Sequence, residues 1–372
     1  MGRRWLCAIL SLFITSVANG DEVVTSDAVR PEFVVDDLDH PVQITSAPGE
    51  PENIYIVERG GEVRIVRNRK VLSEELLDLS SVVHKKHPHG LLSIAFTPNF
   101  AQSGQFYAAY VDPQGDINVG RFTRNKETAQ DENSMTVVIK LAQAFPNTHG
   151  ASIGIGKDSY LYIGWGDGGG PTENLEVTQR LDSLFGKVLR IDVSKEGKYS
   201  VPSDNPFLNQ KRALQEIWAL GFRNPRHLSF DRLRGDLLVV DEGEHLTEIN
   251  TIERGKNYGW NVMEGPACAS DPCSLTNATP PLFTANTTRS FVGGVIYRGS
   301  RFPELEGSYI FADGERGAVF ASTAGIGTRT TRRILQIAKK QISVIGEDAN
   351  GEIYIGTPSG ELLTLEKLPS GS

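Results

Sequence analysis

Several short segments of this chain carry side chains that can move or hold charge. Asn147-Thr148-His149 ends in an imidazole, whose neutral form near physiological pH suits it to take a proton from a hydroxyl. Gly221-Phe222-Arg223-Asn224 sets an amide beside a guanidinium, which can grip a carbonyl or a carboxylate through charge-assisted hydrogen bonds, or tie neighbouring loops together. Asp241-Glu242-Gly243-Glu244-His245 gathers three carboxylates, and carboxylate and carbonyl oxygens are what calcium accepts. Asp167-Gly168-Gly169-Gly170 follows an apolar run without a helix start, so it reads as a tight turn in which Asp167 orients a neighbour or a ligand. His84, His87 and His89 have the spacing of a zinc or copper loop. Lys85, Lys86 and Pro88 make a basic turn the plainer reading of that stretch.

Other chemistries lack their signatures. The chain has no G-x-x-x-x-G-K-[ST] loop, no G-x-S-x-G elbow and no C-x-x-C-H haem motif. Cys268 and Cys273 remain once Cys7 is set aside with a leader, and an even pair in an exported chain is most simply a disulfide closing a short loop. Residues 1–20 read as that leader: Arg3 and Arg4, an apolar run from Leu6 to Val17, then Ala18-Asn19-Gly20. The net charge of −8 becomes about −10 without it, which disfavours nucleic acid and anionic lipid as partners. No further run approaches the ~20 apolar residues of a membrane span. Export implies a secreted or periplasmic protein. Asn277-Ala278-Thr279 and Asn286-Thr287-Thr288 are glycosylation sequons for a eukaryotic source.

The elements that must position these segments form a repeat. Six apolar triplets recur at intervals of 44 to 76 residues: Ile54-Tyr55-Ile56, Phe106-Tyr107-Ala108, Leu161-Tyr162-Ile163, Leu237-Leu238-Val239, Tyr309-Ile310-Phe311 and Ile353-Tyr354-Ile355. An apolar strand and a turn rich in Gly, Pro, Asn and Asp precede each triplet, and a third strand follows it. Six such units of three or four antiparallel strands predict an all-β, six-bladed β-propeller built as one domain over residues 21–372, with its core at about 30–366. Two β-sandwiches are the alternative, and the ordered repeat without a linker disfavours them. In a hairpin, the residues before the first strand and after the second share one end. All the segments named above therefore converge on one rim, where a binding site is the default expectation.

The wording of these segments carries a resemblance. HGLLSIAFTPNF (89–100), IGKDSYLYIGWGDGGG (155–170), LFGKVLRID (184–192), IWALGFRNPRHLSF (217–230), DEGEHLTEINTIERGKNYGWNVMEG (241–265) and GVIYRGSRFPELEGSYIFAD (294–313) resemble the soluble glucose/sorbosone dehydrogenase family. These are quinoprotein aldose sugar dehydrogenases, grouped with the propeller of hedgehog-interacting proteins. The resemblance implies a six-bladed propeller with pyrroloquinoline quinone (PQQ) and Ca²⁺ in its mouth, a sugar substrate oxidised at C1 with hydride passing to the quinone, and a separate electron acceptor. It implies that Arg223 and Asn224 contact the cofactor. Calcium falls to the carbonyls of Gly243 and Glu244, with a second, structural site at Glu248 and the carbonyl of Tyr258. The family's catalytic His falls on Thr148, so His149 serves as base only if its loop bulges. Pro88 replaces a Gln or Glu, Glu315 replaces a Lys, and Gln341 and Ser343 stand near two carboxylate-binding arginines of the family. A silent propeller binding a carbohydrate or a protein, and a calcium-dependent lactonase-like hydrolase, are the competing readings.

Overall fold

The triplets form strands because β-branched and aromatic side chains suit a pleated surface covered on both faces. Ile56, Tyr107, Ile163, Val239, Ile310 and Ile355 are all buried. The computed structural model describes residues 29–84, 89–125, 132–142, 150–169, 176–195, 197–268, 277–286, 291–323, 331–337 and 340–368. Six four-stranded antiparallel sheets account for nearly all of its regular structure.

Blade 1 runs Pro41–Ala47, Glu50–Glu58, Glu62–Arg67, Lys70–Asp78, and blade 2 runs Leu91–Phe96, Gln105–Val111, Ile117–Thr123, Thr136–Leu141. Blade 3 is Ala151–Ile155, Leu161–Trp165, Lys187–Ile191, Ile217–Leu220, and blade 4 is Pro225–Phe230, Leu237–Glu242, Leu246–Ile252, Phe283–Asn286. Blade 5 is Phe291–Ile296, Ser308–Asp313, Ala318–Thr323, Thr331–Gln336. Blade 6 starts with Val344–Glu347, Ile353–Gly356 and Leu362–Lys367, and takes its outermost strand, Val29–Val35, from the other end of the chain. That closing strand pairs Val29 with Lys367 and Phe33 with Leu363. The first strand of each blade touches the first strands of the blades on either side, and blade 6 meets blade 1, so the ring is closed. The propeller expected from the repeat is the fold observed.

The core is divided among the seams. Among the described residues six apolar clusters are present, each shared by two successive blades. Tyr55, Phe96, Phe100, Phe106 and Phe122 fill the seam between blades 1 and 2, with ring centroids 4.5–6.3 Å apart. Polar clasps join the blades as well. Arg298 of blade 5 grips Asp231 of blade 4 at 2.5 Å, both side chains being nearly buried. Glu352 of blade 6 accepts from Tyr297 Oη at 2.9 Å and from the Ser300 amide at 2.8 Å.

Four inner strands carry a β-bulge at the end facing the rim. The register skips Val42 in blade 1, Leu92 in blade 2, Arg226 in blade 4, and the pair Gly293-Gly294 in blade 5. A bulge leaves a residue outside the ladder and re-aims its neighbours. At Gly294 it also forces the residue type, since a Cβ there would lie 1.7 Å from the carbonyl oxygen of Ile310.

Candidate functional site

The bulges open onto a cavity of about 570 Å³ on the axis of the ring, lined by residues of all six blades. His40 and Arg59 come from blade 1, Gly150 from blade 3, Asn224, Arg226, His227 and Glu242 from blade 4, Glu315 from blade 5, and Gln341 and Ser343 from blade 6. Nearly all of them stand just before a first strand or at the end of a second, as the hairpin argument requires. The bulged positions Val42, Leu92, Arg226 and Gly293 also line it, and Arg226 alone of these four is charged.

Strict alternation along blade 4 would turn only one of Arg226 and His227 to the axis. The register shift between Pro225 and His227 lets both face it. Arg226 donates to the carbonyl of Phe291 at 2.5 Å and lies 3.4 Å from the Glu242 carboxylate. His227 places Nε2 3.1 Å from the carbonyl of Gly294, so Nε2 carries the hydrogen and Nδ1 keeps its lone pair. A Cβ on Gly293 would sit 2.8 Å from the imidazole, so this glycine makes the ring's cradle. Burial, reinforced by Arg226, pushes His227 down to about 4. The imidazole is therefore neutral throughout the physiological range. Arg59 is held down to about 10 by burial and then by the positive charge of Arg226.

Arg223 and Asn224 are set by a buried carboxylate. Asp241 accepts the Arg223 amide at 3.0 and 3.1 Å on its two oxygens and the Asn224 amide at 2.6 Å. Burial and then Glu248, its cross-strand neighbour, raise Asp241 well above the carboxylate range. Asn224 reaches the cavity, accepting from the Gly150 amide at 2.9 Å and donating to Glu242 at 3.3 Å. Arg223 does not line the cavity. Its guanidinium lies over the Trp260 ring, 5.5 Å from the centroid, and donates to the carbonyls of Gly243 at 2.9 Å and Glu242 at 3.3 Å. Asp167 belongs to the same network: its amide donates to the Arg223 carbonyl at 2.8 Å, and its carboxylate accepts from Trp260 Nε1 at 3.1 Å.

The residues expected to hold calcium are spread out. The Gly243 carbonyl already accepts from Arg223, and a guanidinium and a cation at one oxygen repel each other. Calcium fits there only if Arg223 turns away. Glu244 is exposed, while Glu248 is buried in its strand and accepts from the Gly265 amide at 2.5 Å and Asn250 Nδ2 at 3.1 Å. Tyr258 stacks on Phe222 at 4.9 Å and gives its hydroxyl to the Thr251 carbonyl at 2.6 Å. Among the described residues, no group of three or more His, Cys, Asp or Glu side chains could hold a metal ion. The cavity offers two guanidinia and an amide to the acidic groups of a quinone, with the carboxylates of Glu242 and Glu315 in the same walls.

Thr148, His149, Pro88, His87 and Cys273 lie outside the described residues, as does 1–28. His84 and His89 come together edge to face at 4.4 Å. Among the described residues no helix is long and apolar enough to cross a membrane. Arg59, Arg226, His227 and His40 were not singled out from the sequence. The signal was available, since Arg59 follows the second strand of blade 1, His40 precedes its first, and Arg226-His227 completes a motif already noted.

Comparisons with known proteins agree with the fold. Residues 38–364 match the family described as Glucose / Sorbosone dehydrogenase. The HIPL1 protein of Arabidopsis thaliana is 27% identical over 77% of this chain and 54% of its own length. Hedgehog-interacting protein of Homo sapiens is 26% identical over 87% of this chain and 49% of its own. The chain thus spans about half the length of these relatives. Aldose sugar dehydrogenase YliI of Escherichia coli (strain K12) is 28% identical over 90% of this chain and 92% of its own. Among solved structures, a glucose dehydrogenase superposes with a TM-score of 0.78 at 24% identity, covering 92% of this chain and all of that one. The PQQ-bound aldose sugar dehydrogenase of Streptomyces coelicolor superposes at 0.72 with 20% identity, covering 91% of this chain and 98% of that one.

Proposed function

The chain belongs to the glucose/sorbosone dehydrogenase family, and from that premise we propose that it is an exported quinoprotein-type oxidoreductase that oxidises an aldose at C1 with PQQ as cofactor. The observation that carries this reading is the axial cavity, which all six blades line and which holds Asn224, Arg59 and Arg226. The chemistry such a quinone supplies is two-electron oxidation, with hydride leaving the sugar carbon and a separate carrier later removing the electrons.

The chain's own residues do the rest. His149 takes the proton of the C1 hydroxyl as the general base. Asn224, fixed by Gly150 and Glu242, presents its amide at the mouth. Arg223 reaches a ligand only by releasing the Gly243 carbonyl, and the same movement frees that carbonyl for calcium. Cofactor contact and calcium uptake are then coupled through one side chain. Thr148 is a further cofactor contact, and Asp167 acts on the cofactor through Arg223, by holding Trp260 against its guanidinium. Glu248 and Tyr258 brace the loops behind it, and a Cys268–Cys273 bridge closes the loop that follows.

A second reading, a propeller that binds a sugar or a protein without turnover, is favoured by Glu242 and Glu315, whose carboxylates share the cavity with the arginines. One experiment separates the two. Residues 21–372 are loaded with PQQ and Ca²⁺, and reduction of an artificial acceptor is followed with a panel of aldoses. A change in the quinone spectrum and sugar-dependent turnover support the enzyme. The absence of both overturns it. Turnover lost in His149→Ala assigns the base, and Thr148→His tests the neighbouring position.

A further inference from the structure

We infer that His227 positions the molecule held in the axial cavity, its Nδ1 accepting a hydrogen bond from a neutral donor on that molecule. The inference rests on the reading of this cavity as the ligand site, and it holds for an enzyme and for a silent binder alike. His227 has a structural duty as well. It is the first residue back in register after the blade-4 bulge, a place held by Gln43 in blade 1 and Ser93 in blade 2. All three tie their inner strand to that of the next blade. Gln43 commits both ends of its amide to Ile94, donating to the carbonyl at 3.1 Å and accepting the backbone amide at 2.7 Å. The Ser93 hydroxyl donates to the Ala151 carbonyl at 3.0 Å and accepts the Ile153 amide at 3.0 Å. Neither Gln43 nor Ser93 lines the cavity.

His227 makes the same tie with one nitrogen, Nε2, bonded to Gly294 of blade 5. The Cδ2 edge of the ring lies over Gly293, where a Cβ would come within 2.8 Å. Nε2 and Cδ2 thus face blade 5, and the other edge, Cε1 and Nδ1, turns away from it. Among the described residues Nδ1 has no hydrogen-bond partner, and unlike the indole nitrogen of Trp165 it is not sealed in, because the cavity reaches the ring. The first strands of the other five blades give this cavity only apolar residues and glycine, Val42, Leu92, Ala151, Val292 and Val344 among them. Against such walls an acceptor is costly unless a donor meets it. Burial pushes the ring down to about 4, so the lone pair is free at physiological pH. The neighbouring Arg226 guanidinium disfavours a cationic donor. The ligand class is therefore one that carries a neutral O–H or N–H beside carbon–hydrogen surface. Its source is either a sugar hydroxyl or the pyrrole N–H of the quinone.

The test is nuclear magnetic resonance on residues 21–372 carrying ¹⁵N-labelled histidine, with the His227 signals identified by their loss in His227→Gln. The probes are PQQ alone and a panel of aldoses. The Nδ1 signal is expected to start in the range of an unprotonated ring nitrogen and to shift as a probe saturates the cavity, while Nε2 stays protonated. A shift with an aldose assigns the donor to the sugar, and a shift with PQQ assigns it to the quinone. Equilibrium binding by the variants is the second measurement. Gln43 shows that a glutamine at this place still ties two blades, so His227→Gln is expected to keep the wild-type melting temperature at neutral pH. It is expected to bind the shifting probe about fivefold more weakly. His227→Asn, whose amide falls near the place of Nδ1, is expected to bind more tightly than His227→Gln and to melt lower. Wild-type affinity in His227→Gln overturns the inference. An Nδ1 signal unmoved by every probe overturns it too, even where turnover is seen. A shifted signal without turnover leaves it standing and removes the enzyme.

Discussion

The seam between blades 1 and 2 and the rim of blade 4 belong to the same ring but are held by opposite means. The seam is aromatic: Phe100, Phe106 and Tyr55 are fully buried and touch one another through ring faces and edges. The rim of blade 4 is an acid framework in which Asp241, Glu248 and Glu264 are buried and accept backbone amides from the loops around them. Apolar packing is non-directional and yields stability. Buried acceptors are directional, and they fix where Arg223, Asn224 and Leu246 must lie. One region makes the scaffold, and the other aims it.

The two regions should respond differently to mutation. Phe100→Ala should cost about 3–5 kcal/mol of stability, read from urea unfolding, because Phe96, Phe106 and the Arg124 guanidinium 4.5 Å above the ring cannot close the void. Ligand binding in native buffer should be unaltered. Asp241→Ala should cost less, about 2–3 kcal/mol, by orphaning the amides of Arg223 and Asn224. Its effect on binding at the mouth should nevertheless exceed that of Phe100→Ala.

His227 gives the pH arm of the comparison. Its folded pKa of about 4 lies below the unfolded value, so the unfolded chain binds the extra proton between about pH 6.5 and 4. Stability from the neutral ring is full above that window and is lost as pH falls through it. The loss should be about 2 kcal/mol from pH 7 to pH 5 relative to His227→Gln. Burial raises Glu58 and Glu347 to about 7, which produces the opposite slope, so the wild-type minus variant difference isolates the histidine. The smallest effect, about 1 kcal/mol, is expected for Arg124→Gln. It removes the partner of Glu50, whose carboxyl lies at about 2 despite its burial, through bonds to Arg124, Tyr55 and Asn53. That loss should vanish in acid, as Glu50 protonates.

The inner three strands of every blade could be read from the triplets, because both faces of those strands are covered. The outermost strands could not. Thr331–Gln336 reads TRRILQ with only two buried residues, and Lys70–Asp78 is half exposed, so their pattern is that of a polar loop. At the site, Asn224 was legible as a mouth residue, but Arg223 was read as its equal and points instead to the Gly243 carbonyl. The bulge at Arg226 is a hydrogen-bond register between two strands, and no residue type in the sequence announces it.

The outermost strand of blade 6 has one more consequence. Val29 sits beside Lys367, so the ring is fastened by partners more than three hundred residues apart, a contact that forms slowly and late because so much chain must first be ordered. Val29 and Lys367 stand side by side on the two outermost strands, with at least two further strands between them and the axis. Both lie at the end of blade 6 away from the mouth, which Ser343 and Pro358 line, so the stitch that closes the ring stands clear of the cavity.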